Sequence, residues 1–167
     1  MLSFDLDPED YHIKTTIRPS FTEMNDTTGF LTEKWKNNRE IAYEGSIDNF
    51  LQAIKDNKIQ QNGFQVYQDI GPLSEVPLSR LKHIKDLLTK SNNGQYSLTF
   101  NGYLRILYIS KDPDNPGVSW IKLLYPAVTL DSYGYSVEPV PFKVYGYWTK
   151  FGVADMLPKY YASKDSL

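Results

Sequence analysis

Few residues in this chain have the types and spacing that chemistry requires. Cysteine is absent, so thiolate nucleophiles and zinc sites built on sulfur are excluded. Histidine occurs only as His12, in a strand-like stretch, and His83, beside Lys82 on a charged face. A metal site wants several ligands at defined spacing, so no metal and no cofactor is expected. Asp112-Pro113-Asp114-Asn115-Pro116-Gly117 has the outline of a calcium loop. However, Pro116 fills the fifth position, which should donate an oxygen, and Leu123 stands where a glutamate belongs. The same residues build ordinary turns, and a turn is the expectation. No serine lies in Gly-x-Ser-x-Gly, and there is no glycine-rich phosphate loop. Glu40 and Glu44 lie one helical turn apart and face the same way. They are the acid pair to consider for hydrolysis, and a solvated helix face is the simpler account.

The unusual feature is aromatic. Thirteen tyrosines and three tryptophans are a high load, and Tyr125, Tyr133, Tyr135, Tyr145, Tyr147, Trp148, Tyr160 and Tyr161 crowd the last third. Aromatic faces stack on sugars, peptides or bases, and Tyr and Trp are favoured at binding surfaces. Strands and core edges also favour aromatics for packing alone. The candidates for ligand contact are Tyr145, Tyr147 and Trp148.

The elements that must position these residues follow from periodicity. Phe4 and Leu6, then Tyr11, Ile13 and Ile17, suggest two short strands joined by a turn at residues 7–10. Trp35, Arg39, Ala42, Tyr43, Ile47, Phe50, Leu51 and Ile54 recur at helical steps and predict a helix over about 33–55, with Thr32 as its cap. Gly45-Ser46 interrupts it, either breaking it in two or admitting another backbone. A strand is predicted over 64–70. Leu78, Leu81, Ile84, Leu87 and Leu88 predict a second amphipathic helix over about 77–90, with Pro77 in its first turn and Asn92-Asn93-Gly94 at its exit. Strands over 97–100 and 103–110 flank Asn101-Gly102, a hairpin signal. Further strands are predicted over 118–125, 127–130 and 140–147, with a short terminal helix over 148–158 that docks Val153, Met156 and Leu157. Strands and helices are segregated, so the fold class is α+β: one antiparallel or mixed sheet packed with two helices. The length suits a single domain, whether whole or a piece of a longer protein.

Bulk properties limit the partners. The net charge of −2 provides no excess of cations to replace counterions on phosphates, so no nucleic acid partner is expected. No run approaches the ~20 apolar residues that cross a bilayer. Met1 to Asp10 holds acids and no base, unlike a secretory signal.

Two stretches carry a family pattern. One is Ala42-Tyr43-Glu44-Gly45-Ser46, followed by Phe50-Leu51, within the run 35–54. The other is Gly146-Tyr147-Trp148, followed by Ala154-Asp155-Met156-Leu157-Pro158. Looser matches lie at Gly63 to Tyr67 and in the strand with Tyr103, Leu104, Ile106 and Tyr108, and the opening residues 2–24 match a preceding strand pair. In this order they resemble the region after the β-sandwich in the carboxypeptidase-like regulatory-domain-containing proteins of Bacteroidetes. The resemblance implies an exported, envelope-associated protein. It does not imply peptidase activity, and it carries over no functional residues. Where that family often has a basic residue and a histidine before the phenylalanine, this chain has Asp48 and Asn49. The resulting expectation is a non-catalytic binding or structural module with an unknown protein or glycan partner. The alternative is a hydrolase using acidic residues on envelope glycans or peptides.

Overall fold

A computed structural model describes residues 3–7, 12–16, 30–72, 79–80, 84–109, 116–150, 157 and 161. In chain order the elements are β1 (Ser3–Asp7), β2 (His12–Thr16), α1 (Phe30–Glu44), α2 (Ile47–Lys55), β3 (Phe64–Asp69), β4 (Ser79–Arg80), a 3₁₀ turn (Ile84–Leu87), β5 (Leu88–Lys90), β6 (Tyr96–Leu98), β7 (Tyr103–Tyr108), β8 (Gly117–Leu123), β9 (Val128–Leu130), β10 (Phe142–Gly146) and a second 3₁₀ turn (Tyr147–Lys150). The fold is α+β with antiparallel sheets. A five-stranded sheet runs β10-β8-β7-β3-β4, a three-stranded sheet runs β5-β6-β9, and β1 pairs with β2.

α1 and α2 come from the single helical stretch seen in the sequence. Gly45-Ser46 divides it. Ser46 is extended (φ −78°, ψ 162°), so the helix cannot continue through it, and its Oγ accepts from the Asn49 N–H at 3.1 Å to cap α2. Such a cap contributes about 1 kcal/mol. A Cβ on Gly45 would lie 2.8 Å from the Tyr108 ring, so glycine here makes room for β7's last side chain. Asn49 adds a brace across the break: its Nδ2 donates to the Glu44 carbonyl, and its Oδ1 accepts from Asn62 Nδ2 at 2.7 Å. The first helix starts at Phe30, which places Thr32 inside the first turn rather than at the cap.

The helix expected over 77–90 is not formed. Its described residues are β4, the first 3₁₀ turn and β5. β4 pairs with the open edge of β3, Tyr67 opposite Arg80, and β5 pairs with β6. Of that run, Ile84, Leu87 and Leu88 pack against the core from the 3₁₀ turn and β5. Tertiary pairing overrides local period here. Asn93-Gly94, expected as a helix exit, instead turns the β5–β6 hairpin, with Gly94 at φ +81° and Ser91 N–H donating to Gln95 O at 2.8 Å.

Asn101-Gly102 is not a hairpin turn either. β6 and β7 belong to different sheets, and Gly102 (φ +68°) carries the chain from one to the other. Val118 to Tyr125, Ala127 to Leu130 and Val140 to Tyr147 form strands close to the expected bounds, as β8, β9 and β10. Of the terminal helix expected over 148–158, only the second 3₁₀ turn and Leu157 lie within the described residues.

One core joins the layers. Phe50, Leu51, Ala53 and Ile54 of α2 meet Phe64 and Val66 of β3, Leu104 and Ile106 of β7, Ile121 of β8 and Phe142 of β10, together with Leu98, Val128 and Leu130 of the small sheet. The phenylalanine, leucine and isoleucine side chains at the centre are essentially closed to solvent.

Three phenols packed against this core set its alkaline limit. Burial pushes the Tyr43 and Tyr108 hydroxyls up from 10.0 to about 12, and pushes Tyr135 up as well. Nearby acids add to the effect, Asp48 at Tyr43 and Tyr135 and Glu44 at Tyr108. A raised folded-state pKa means the unfolded chain ionises first. The stabilisation is therefore complete below about pH 10 and is lost as pH rises through about 12. Melting temperature should hold to pH 10 and then fall, while tyrosinate absorbance at 295 nm shows a late fraction that appears only with unfolding. A melting point that stays level to pH 12 would contradict this.

Candidate functional site

The three aromatic candidates divide among different surroundings. Trp148 is a core residue. Its ring lies 5.5 Å from Phe50, its Nε1 donates to Gly45 O at 2.7 Å, and its backbone N–H donates to Ser119 Oγ at 3.1 Å. With 8% of its surface exposed, it cannot be a stacking platform. Tyr147 is half-buried against the core, and Gly117 lacks a Cβ where the Tyr147 ring passes, since a Cβ there would lie 2.7 Å from it. Of the three, only Tyr145 stands on the face of the large sheet that points away from the core.

The family-like motif residues are thereby explained as architecture. Gly45 gives space to Tyr108 and its carbonyl to Trp148, Ser46 caps α2, Phe50 and Leu51 fill the core, and Tyr43 donates from its hydroxyl to Gln52 Oε1 at 2.8 Å. The two motif stretches, 103 positions apart at Gly45 and Trp148, meet in one hydrogen bond. Residues 154–156 and 158 lie outside the described residues.

The acid pair does not build a site. Glu40 and Glu44 lie on α1, and the charge of Glu44 acts on the Tyr108 hydroxyl. His12 falls in β2, and His83 lies outside the described residues, as do residues 110–115 between β7 and β8. Among the described residues, no group of three or more His, Cys, Asp or Glu side chains is placed to hold a metal.

A different surface gathers chemistry. Side chains alternate along each strand, so the inward set of Phe64, Val66, Leu104, Ile106 and Ile121 leaves an outward set on the same strands. Register places Arg80, Tyr67, Arg105, Trp120 and Tyr145 in one row across all five strands. A second row holds Asp69 opposite Tyr103, and Lys122 opposite Lys143.

The contacts agree that the side chains of Asp69, Tyr103, Arg105, Trp120, Lys122, Lys143 and Tyr145 share a face. Asp69 Oδ2 accepts from Trp120 Nε1 at 2.9 Å, and its Oδ1 accepts from the Ile70 N–H at 2.7 Å, which fixes the indole plane. Arg105 lies over Trp120 at 5.4 Å, Lys122 over Tyr103 at 5.5 Å and Lys143 over Tyr145 at 5.7 Å. The Tyr103 and Tyr145 rings meet at 5.9 Å. Burial, then hydrogen bonding with Tyr103, raises the Tyr145 hydroxyl above its usual value. Arg105 Nε is buried without a hydrogen-bond partner.

Sequence reasoning found one member of this surface, Tyr145, and missed Tyr67, Tyr103, Arg105, Trp120, Lys122 and Lys143. The signal was present as a period of two: Tyr103-x-Arg105, Trp120-x-Lys122 and Lys143-x-Tyr145 alternate with buried or half-buried apolar and small residues.

In comparisons with known protein families, curated proteins and solved structures, nothing matches this chain.

Proposed function

We propose that this chain is a non-catalytic binding module whose ligand lies across the outer face of the five-stranded sheet. The observation that carries the reading is the cross-strand row Tyr67–Arg105–Trp120–Tyr145, held rigid by main-chain pairing and by the Asp69–Trp120 bond. Aromatic and arginine side chains on a rigid platform lose little conformational freedom on binding, which suits them to recognition. The resemblance noted from the sequence supports an envelope setting, with a glycan or protein as partner.

Three tryptophans give three separate indole N–H resonances, from Trp35, Trp120 and Trp148. Titration with neutral glycans, acidic glycans and short peptides should move the Trp120 indole signal and leave that of buried Trp148 in place. Binding that survives Trp120→Ala in a folded protein would remove the outer face from consideration.

A further inference from the structure

We propose a modification site: Asn101-Gly102, where the chain passes from β6 to β7, converts spontaneously to an aspartyl or isoaspartyl linkage in the folded protein. Asn-Gly occurs at residues 62–63, 93–94 and 101–102. The chemistry open to each is the same. The glycine amide nitrogen gives up its proton to hydroxide and attacks the asparagine Cγ. A new N–C bond closes a cyclic imide, the Cγ–Nδ2 bond breaks, and ammonia leaves with a proton from water. Water then opens the imide at one carbonyl or the other, which gives aspartate or isoaspartate. Glycine favours the attack because it has no Cβ to stand in the way.

Folding separates the three dipeptides. Asn62 Nδ2 donates to Asn49 Oδ1 at 2.7 Å, and the Gly63 N–H donates to Gln60 O at 3.1 Å. Asn93 Nδ2 donates to Gln95 Oε1 at 2.7 Å, and its Oδ1 accepts from the Gln95 N–H at 3.2 Å. The Gly94 N–H donates to Ser91 O at 3.2 Å. At both turns the attacking nitrogen and the attacked amide are engaged elsewhere. Asn101 and Gly102 are exposed. Among the described residues, neither the Asn101 side chain nor the Gly102 N–H has a hydrogen-bond partner. Exposure alone does not distinguish Asn101 from Asn93, which is also exposed; the hydrogen bonds do.

The peptide group that must ionise is assisted as well. Gln68 Nε2 donates to the Asn101 carbonyl oxygen. When the Gly102 nitrogen loses its proton, the negative charge spreads onto that oxygen, and a donor already aimed there stabilises it. The product matters to the fold. Isoaspartate routes the main chain through the side chain and adds a methylene to it. That addition falls directly ahead of β7, whose first residue Tyr103 pairs with Asp69 of β3.

The test incubates the whole folded chain in mildly alkaline buffer below its melting temperature. Peptide mapping by mass spectrometry, with fragmentation that distinguishes isoaspartate from aspartate, follows the three asparagines. Breaking a hydrogen bond before ring closure slows it by up to about tenfold, and Asn93 and Asn62 each have more than one to break. Asn101 should therefore lead both by about tenfold or more. In urea the three should react at similar rates, since folding alone separates them. The rate at Asn101 should fall in mildly acidic buffer, and the aged protein should melt below the fresh one. Asn101→Ser should abolish the leading conversion and leave the melting temperature of fresh protein unchanged. Gln68→Ala should slow Asn101 by about threefold or more without changing Asn93. An unchanged rate at Asn101 in that variant would overturn the part given to Gln68. Conversion of Asn93 or Asn62 as fast as Asn101 in the folded protein would overturn the site. So would an Asn101 that reacts in urea and not when folded.

Discussion

Trp148→Ala is expected to cost about 3–5 kcal/mol of stability, a large share of what a domain of this size holds. The indole is 8% exposed, packs against Phe50 and sits within the cluster that joins α2 to the five-stranded and three-stranded sheets. Truncation would open a cavity between rigid elements that cannot collapse to fill it. It would also leave the buried Gly45 carbonyl without the donor that now stands 2.7 Å away. With a urea slope of about 2 kcal/mol per molar, the midpoint should fall by about 2 M. Trp148→Phe separates the two contributions. It keeps a ring against Phe50 but removes the donor and the smaller ring of the indole, so it should cost less than Trp148→Ala, about 1–3 kcal/mol. If Trp148→Ala shifts the midpoint by less than Trp148→Phe is expected to, the indole is not the bolt between the first helical break and the last strand.

Gly146→Ala is the second large effect, and its cause is backbone rather than volume. Gly146 has φ +79°, where a Cβ is disfavoured, and that Cβ would collide with the Val118 carbonyl oxygen and stand 3.1 Å from the Trp120 ring. The carbonyl belongs to the paired strand β8 and cannot swing aside without breaking its register with β10. The left-handed backbone costs about 1–2 kcal/mol and the overpacking about 1–3 kcal/mol more. Gly94 supplies the control. It has φ +81° and nothing within 4 Å of where a methyl would stand, so Gly94→Ala should show the backbone cost alone. Chemical denaturation of both variants gives the difference directly. Equal losses at the two positions would mean that the β8–β10 edge yields to the methyl. A Gly146→Ala protein that folds should also shift the emission of Trp120, because the methyl presses on the ring that anchors the outer face.

Gly146 and Trp148 are near neighbours in the sequence, yet only their placement in three dimensions gives them their roles. The amphipathic run from Trp35 to Ile54, the strand-like alternation from Tyr96 onward and the absence of cysteine specified an α+β domain with its helical part near the start and no thiol or sulfur-metal chemistry. The sequence left Gly45-Ser46 open between a break and a close backbone approach; the structure makes it a break, with Ser46 capping α2. The leucine run over 77–90 was not legible, because its period fits a helix and pairing with β3 and β6 made strands of residues 79–80 and 88–90. Asn93-Gly94 and Asn101-Gly102 carry the same dipeptide with positive φ at the glycine. One turns a hairpin and the other moves the chain between sheets, a choice made by which strands are available to pair. The aromatic excess was visible in composition, but its division was not. Trp148 went inward because Phe50 and the Gly45 carbonyl complete its surroundings, while Trp120, Tyr103 and Tyr145 went outward on strands that bury the alternate residues. The face they form joins residues from β3, β7, β8 and β10. Side-chain period along one strand can say that a residue points outward, but only the register between strands decides which residues it joins.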